Sequence, residues 1–314
     1  MKIAVVGAGA VGGYFGGRLA AAGVDVTFLA RGDQLEALRR DGLYIESPKG
    51  NVHVRPIQAT NRPRDVGPVD VVLFAVKLYD VDTAASTLAP LIGPATVVIT
   101  LQNGVDAVDM VARHVGREHV AGGAAYIVAV VDAPGKIRHT TADSLAFGEQ
   151  DGSRSPRLVA FETAGRMAGF GATASESIEL DLWTKFVRLS TWSGMTTVTR
   201  SPVGVIRDDP ALLALMMAAF DEAVAVGRAR GMRFVPTLAD ETLMLVNGFP
   251  FESKSSMLQD LERGGRLELP WLSGAVVRLG RESGVPTPVH HFITTVLGPF
   301  VAGGGRAPSR VRAT

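Results

Sequence analysis

Apolar and polar positions follow two different rhythms along the 314 residues. In the first half, short and nearly unbroken apolar runs at 2–7, 24–30, 69–76 and 96–101 are separated by segments with helical spacing, among them 33–40 and 81–91. Runs this short, rich in β-branched residues and without a polar face, suit strands covered on both sides of a parallel sheet. Their alternation with helices predicts βαβ units and a doubly wound α/β sheet. After Gly122 the texture changes. A run at 124–131, the turn Asp132-Ala133-Pro134-Gly135 and a run at 136–140 predict a hairpin, and 145–148 a further strand, extending the sheet with antiparallel members.

Beyond Glu179 the strand rhythm ends. Asp209 and Pro210 form an N-cap with proline in the first helical position, and the apolar block 212–226 runs on to a stop at Gly231. A helix apolar nearly all round belongs in the middle of a helical domain. The pattern thus predicts an α/β domain over 1–177, an all-α domain over 178–302, and a flexible tail over 303–314, where Gly, Arg, Ser and Pro dominate.

Length agrees with two domains. Lys and Arg number 32 against 31 Asp and Glu, so no global field draws the chain to nucleic acid or an anionic membrane, and a small molecule is the expected partner. Cysteine is absent, which excludes disulfides, thiolate nucleophiles and sulfur-based zinc sites and leaves the cytoplasm as the default compartment. The six histidines show no ligand spacing, and no metal is expected. Lys2 followed by an apolar stretch resembles a targeting signal, but glycines interrupt the stretch, and no later segment offers the run a membrane span needs. The expectation is a protein off the membrane with its N-terminus retained.

Gly7-Ala8-Gly9-Ala10-Val11-Gly12 is a G-x-G-x-x-G sequence between the first predicted strand and the first helix. At that address the first glycine permits the turn, the second admits a pyrophosphate to the backbone, and the third lets helix and strand pack closely. The alternative is a glycine-rich packing turn. An acidic residue at the end of the second strand would bond a ribose 2′-hydroxyl; Arg31 stands there and favours a 2′-phosphate, unless it is a solvated charge. Asp33 is expected to cap the following helix. Lys77 and Asn103 each follow a strand directly, where open α/β sheets bind ligands. Lys77 suits a carboxylate or phosphate, and Asn103 a nicotinamide ribose or a substrate, with loop capping as the alternative for both.

In the helical part Lys185 stands among Trp183, Phe186 and Val187, sharing a face with Leu189, Ser193 and Thr196. Either burial lowers its pKa and makes it a proton donor, or its stem snorkels to water. Ser255 or Ser256 caps a short helix, and Glu268, just before Pro270, reads either as a functional carboxylate or as the start of a helix running to about Glu282.

Taken together, the glycine motif, Leu29-Ala30-Arg31-Gly32, Val76-Lys77, Gln102-Asn103-Gly104, Leu182-Trp183-Thr184-Lys185, Ser255-Ser256-Met257-Leu258-Gln259-Asp260 and Glu268 resemble the ketopantoate reductase (NADPH-dependent 2-dehydropantoate 2-reductase) family over nearly the whole chain. The resemblance implies a Rossmann domain followed by a helical domain with the active site between them, and leaves room for a homodimer. It implies NADP held by Gly7 to Gly12 and Arg31, with Lys77 and Asn103 lining the cleft. Lys185 would be the general acid, Glu268 its catalytic partner, and Ser193 and Ser256 substrate contacts. The family's asparagines four and eight residues after the lysine are Leu189 and Ser193 here, and a third is Val203, which sets the substrate apart from the reaction type. A different 2-oxo acid, an imine, or NADP sensing without turnover are the competing readings.

Overall fold

The computed structural model describes residues 1–304, so the predicted tail lies outside it beyond Gly304, whose amide donates to the Gly264 carbonyl oxygen at 2.9 Å. The first unit comprises residues 1–102 and 106–182; the second comprises 103–105 and the chain from Trp183.

The first unit follows the predicted α/β rhythm: β1 (Lys2–Val6), α1 (Ala10–Ala21), β2 (Asp25–Leu29), α2 (Gly32–Asp41), β3 (Leu43–Glu46), β4 (Val52–Val54), β5 (Gln58–Thr60), β6 (Val71–Phe74), α3 (Val81–Ala85), β7 (Val97–Thr100), α4 (Ala107–Val115), β8 (Val120–Ala133), β9 (Lys136–Gly148), α5 (Pro156–Met167) and β10 (Gly171–Ala174). The strands form one sheet in the order β4-β3-β9-β8-β7-β6-β1-β2-β5, with β10 also paired to β9. β1 is parallel to both β2 and β6, so the order reverses at β1, where doubly wound sheets bind ligands. The buried faces of β1, β2, β6 and β7 meet Phe15 and Leu19 of α1 in a continuous core.

Four strands escape the sequence pattern. β3, β4, β5 and β10 are three or four residues long and mix polar with apolar positions, too little for a period of two to register. Conversely, 136–148 is one strand where two were expected. Ala142, with a φ of +53°, and the register shifts opposite it disturb the alternation without breaking the β8–β9 ladder. The predicted helix 81–91 also divides, into α3 and a separate 3-10 turn at Ala89–Leu91, whose Pro90 starts a new turn rather than continuing the old one.

From Ile178 onward the chain is helical: α6 (Ile178–Thr199), α7 (Val203–Asp208), α8 (Pro210–Ala229), α9 (Leu238–Gly248), α10 (Ser256–Glu262), α11 (Ser273–Ser283) and α12 (Pro288–Leu297). The division between units falls inside α6 rather than before it, because the helix starts among first-unit residues and continues past Trp183. Asp209 caps α8 as predicted, accepting from the amides of Ala211 and Leu212 at 2.8 and 3.0 Å.

The rest of α8 corrects its prediction. It is long and apolar enough, by length and composition, to cross a membrane, yet it is not enclosed all round: Met216, Phe220 and Ala223 enter the second core while Ala211, Ala214 and Leu215 stay exposed. Its Glu222 accepts the amides of Val289 and His290 at 2.7 and 3.0 Å and so satisfies the start of α12. The helix predicted from Glu268 to Glu282 is likewise two elements, a 3-10 turn Leu269–Trp271 and then α11, separated at Leu272 (φ −109°, ψ −103°).

Candidate active site

In the first unit, Gly7, Ala8 and Gly9 make the whole passage from β1 to α1. Gly7 has a φ of +97°, and a Cβ there would meet the Ala75 carbonyl carbon at 2.8 Å, so no other residue fits. A Cβ on Gly12 would fall 2.3 Å from the Gly7 carbonyl oxygen and 2.9 Å from the Ala75 side chain; its absence lets α1 rest directly on the turn. Gly9 differs from both. Nothing lies within 4 Å of its missing Cβ, so its smallness keeps space open rather than relieving a clash. Gly9 is also the N-cap of α1, and no side chain caps that helix, so the leading amides and the positive end of the dipole are left for an anion.

A cleft of about 440 Å³ opens at this turn, lined also by Arg31 and Gln34 beyond β2, Asn61 beyond β5 and Thr83 on α3. That volume is in the range of small-molecule sites. Arg31 occupies the N-cap position of α2, exposed, with no carboxylate paired to its guanidinium among the described residues. Asp33, expected to be the cap, sits instead inside the first turn and makes no capping bond, because α2 begins at Gly32. An open glycine, an uncapped helix start and an unengaged guanidinium fit a dinucleotide diphosphate, with Arg31 suited to a 2′-phosphate.

Lys77 is half-buried and precedes the 3-10 turn Leu78–Asp80, two residues beyond the Ala75 that touches the glycine turn. Gln102, two residues beyond β7, donates from Nε2 to the carbonyl oxygens of Phe74 and Val76 at 2.9 and 3.0 Å, holding the chain that leads to Lys77. Sequence reasoning noticed Gln102 only as part of a motif. It missed Gln34 altogether, and nothing in the spacing marks either residue as a strut.

The second unit carries the other candidate residues. Lys185 on α6 is half-buried, and the neighbouring Trp183 packs edge to face on Phe186 at 5.4 Å between ring centroids. Burial pushes the Lys185 ammonium down to about 8, against the opposing pull of the nearby Glu268 carboxylate. Glu268 is itself buried, at the start of the Leu269–Trp271 turn. The structure therefore brings this lysine and this carboxylate into electrostatic contact although they lie far apart in sequence. Asn103 also belongs to this unit and is half-buried, and the neighbouring Gly104 closes on Trp271, whose carbonyl oxygen would be 2.8 Å from a Cβ there.

The serines separate. Ser255 is the N-cap of α10, buried, accepting from Leu258 N and from Thr196 Oγ1 at 2.7 Å, whereas Ser256 is exposed. Ser193 is wholly buried, and its hydroxyl has no hydrogen-bond partner and no solvent exposure; as placed, it does not present itself to a ligand. Leu189 packs on the second core, the Trp192 ring meets Phe249 at a tilt of 59° with centroids 4.3 Å apart, and Val203 is buried in the core.

Comparison with known proteins bears on both units. Residues 3–152 match the family described as ketopantoate reductase PanE/ApbA, and residues 177–300 match that family's C-terminal domain. The chain belongs to the ketopantoate reductase family. A 2-dehydropantoate 2-reductase of Mesorhizobium japonicum is 35 % identical over 309 residues, covering 92 % of this chain and 94 % of that one. The crystal structure of a PanE/ApbA family ketopantoate reductase from Ralstonia eutropha JMP134 superposes with a TM-score of 0.88 at 30 % identity, over 96 % of this chain and 98 % of that one. The fold is shared more widely. A D-mandelate dehydrogenase, solved with NADH and anilino(oxo)acetate, reaches a TM-score of 0.86 at 22 % identity, over 96 % and 98 % of the two chains. As a member of that family the chain is an oxidoreductase.

Proposed function

We propose that this protein is an NADPH-dependent reductase of a 2-oxo acid, in which Lys185 gives a proton to the carbonyl oxygen. NADPH, when bound, supplies the hydride that reduces the carbonyl carbon. Gly7 to Gly12 would hold its diphosphate and Arg31 its 2′-phosphate, while Lys77 and Asn103 offer a cation and an amide to cofactor or substrate. The observation that carries the reading is the Lys185–Glu268 pair. A lysine with a pKa near 8 beside a buried carboxylate is protonated at neutral pH yet gives up its proton far more readily than an exposed lysine does. Glu268 acts through Lys185, keeping the ammonium charged in surroundings that oppose the charge. A cofactor-sensing protein without turnover has no use for such a pair.

The face of α6 beyond Lys185 favours one class of substrate. Leu189 and the Trp192–Phe249 ring pair are apolar, the Thr196 hydroxyl lies within hydrogen-bonding distance of Ser255 Oγ at 2.7 Å and of the Trp192 carbonyl oxygen at 2.8 Å, one of which takes its single proton, and Ser193 is sealed. A substrate hydroxyl placed there would lose its hydration without gaining a partner, at about 1–3 kcal/mol. The proposed substrate therefore carries an aliphatic or aromatic side chain. NADPH oxidation against a panel of 2-oxo acids tests this: apolar side chains should give higher kcat/KM than 2-dehydropantoate. A tenfold or greater preference for 2-dehydropantoate would overturn the substrate assignment.

A further inference from the structure

We infer that Gln34 is a positioning residue for the dinucleotide, a strut that sets the phosphate-binding turn from the tip of the β8–β9 hairpin and governs affinity for both forms of the cofactor. The inference rests on the nucleotide site proposed above and concerns how that site is held in shape. Gln34 stands half-buried in the first turn of α2 and lines the cleft. Its Nε2 donates to the Ala8 carbonyl oxygen at 2.7 Å, and its Oε1 accepts from the Gly135 amide at 2.9 Å. One side chain thus joins two segments far apart in sequence: the glycine turn and the hairpin tip.

Both attachments matter to the cleft. Ala8 C=O and Gly9 N–H belong to one trans peptide unit and point in opposite directions. Fixing the carbonyl on Gln34 therefore fixes the direction of the Gly9 amide at the very start of α1. The same bond engages a carbonyl oxygen that would otherwise be free to turn its partial negative charge toward the phosphates. At the other end, Val131 of the hairpin forms part of the cleft wall. The hairpin tip is held through both peptide groups of Gly135: its amide by Gln34, and its carbonyl oxygen by the Tyr44 amide at 2.9 Å. Gly135 takes a φ of +74° and lies close to Ala37 of α2, where a Cβ would approach the Ala37 side chain to 3.3 Å. Gln34 is consequently a link through which the position of one wall reaches the phosphate-binding turn.

This role differs from that of Arg31 in a measurable way. A contact to the 2′-phosphate distinguishes NADPH from NADH, whereas a strut beneath the diphosphate-binding turn serves both alike. The test is calorimetric titration of the purified full-length protein with NADPH and NADH, on the natural chain, on Gln34→Met, which keeps the side-chain length while losing both hydrogen bonds, and on Gln34→Asn, which is too short to span the gap. Both variants should weaken NADPH and NADH by the same factor, roughly 5- to 50-fold, with whatever fall in thermal midpoint the loss of two neutral hydrogen bonds brings. Unchanged dissociation constants in either folded variant, or a drop in thermal midpoint without a loss of affinity, would overturn the inference while leaving the nucleotide site intact. Failure of the natural chain to bind either cofactor would overturn the nucleotide site and this inference with it.

Discussion

The glycine turn of the first unit and the Lys185–Glu268 region of the second handle charge in opposite ways. At the turn the protein removes side chains: Gly7 and Gly12 tolerate none, Gly9 leaves a gap, and an uncapped helix start provides the attraction. The site offers partial charges of the backbone, already hydrogen-bonded into shape, and carries no desolvation penalty until a ligand arrives. Around Lys185 the protein instead brings two full charges together, Glu268 buried and Lys185 half-buried, where burial disfavours the ammonium strongly enough to outweigh the neighbouring carboxylate. Binding needs only a fixed shape. Proton transfer needs a group held near the point where it changes state, and that is reached by accepting an unfavourable burial.

The largest expected effect lies on the second side of this contrast. Lys185→Ala should lower turnover about 10²- to 10⁴-fold, the range of general acid catalysis, while NADPH binding measured by titration stays within about twofold. Near-normal turnover would remove Lys185 as the proton donor and the contrast with it.

The glycine turn can be divided by paired substitutions. Gly12→Ala forces a methyl to within 2.3 Å of a backbone oxygen and should destabilise the fold by roughly 1–3 kcal/mol as well as weaken NADPH. Gly9→Ala meets no atom within 4 Å, so chemical denaturation should find its stability within about 0.5 kcal/mol of the natural chain, with NADPH binding nonetheless impaired. Equal stability losses in the two variants would mean that Gly9 also serves packing. A smaller and more selective effect is expected at Arg31. Arg31→Ala should weaken NADPH about 10- to 100-fold and leave NADH unchanged, and equal losses for both cofactors would remove it from the 2′-phosphate.

The same contrast explains what the sequence could disclose. The glycine turn is local: three glycines, a strand before and a helix after are contiguous, and each requirement is written in neighbouring residues. Lys185 is conspicuous for a similar reason, being a lone charge in an apolar helix. What escapes is pairing across the chain. That Glu268 lies near Lys185 comes only from the family resemblance, since spacing does not encode it, and nothing in Leu269-Pro270-Trp271-Leu272 distinguishes a 3-10 turn followed by a new helix from one continuous helix. That Gln34 reaches both Ala8 and Gly135 depends on a hairpin tip folding back onto α2. Ser193 shows the limit from the other direction. It shares a helical face with Lys185, but buried depth, which spacing does not encode, removes its hydroxyl from any solvent-facing surface. β5 and β10 belong here too, since their membership in the sheet comes from the neighbours they pair with rather than from their own residues.

The pH dependence of the reduction rate, measured at saturating NADPH and 2-oxo acid for the natural chain and for Glu268→Gln, tests the account most directly. Reduction needs the protonated amine, so the rate should be level below neutrality and fall as pH rises through the Lys185 pKa of about 8. Removing the Glu268 charge takes away an influence that raises this pKa, so in Glu268→Gln the fall should begin at lower pH. A profile with no inflection between pH 7 and 9, or one whose midpoint does not move downward in Glu268→Gln, would contradict the assignment of Lys185 as the proton donor.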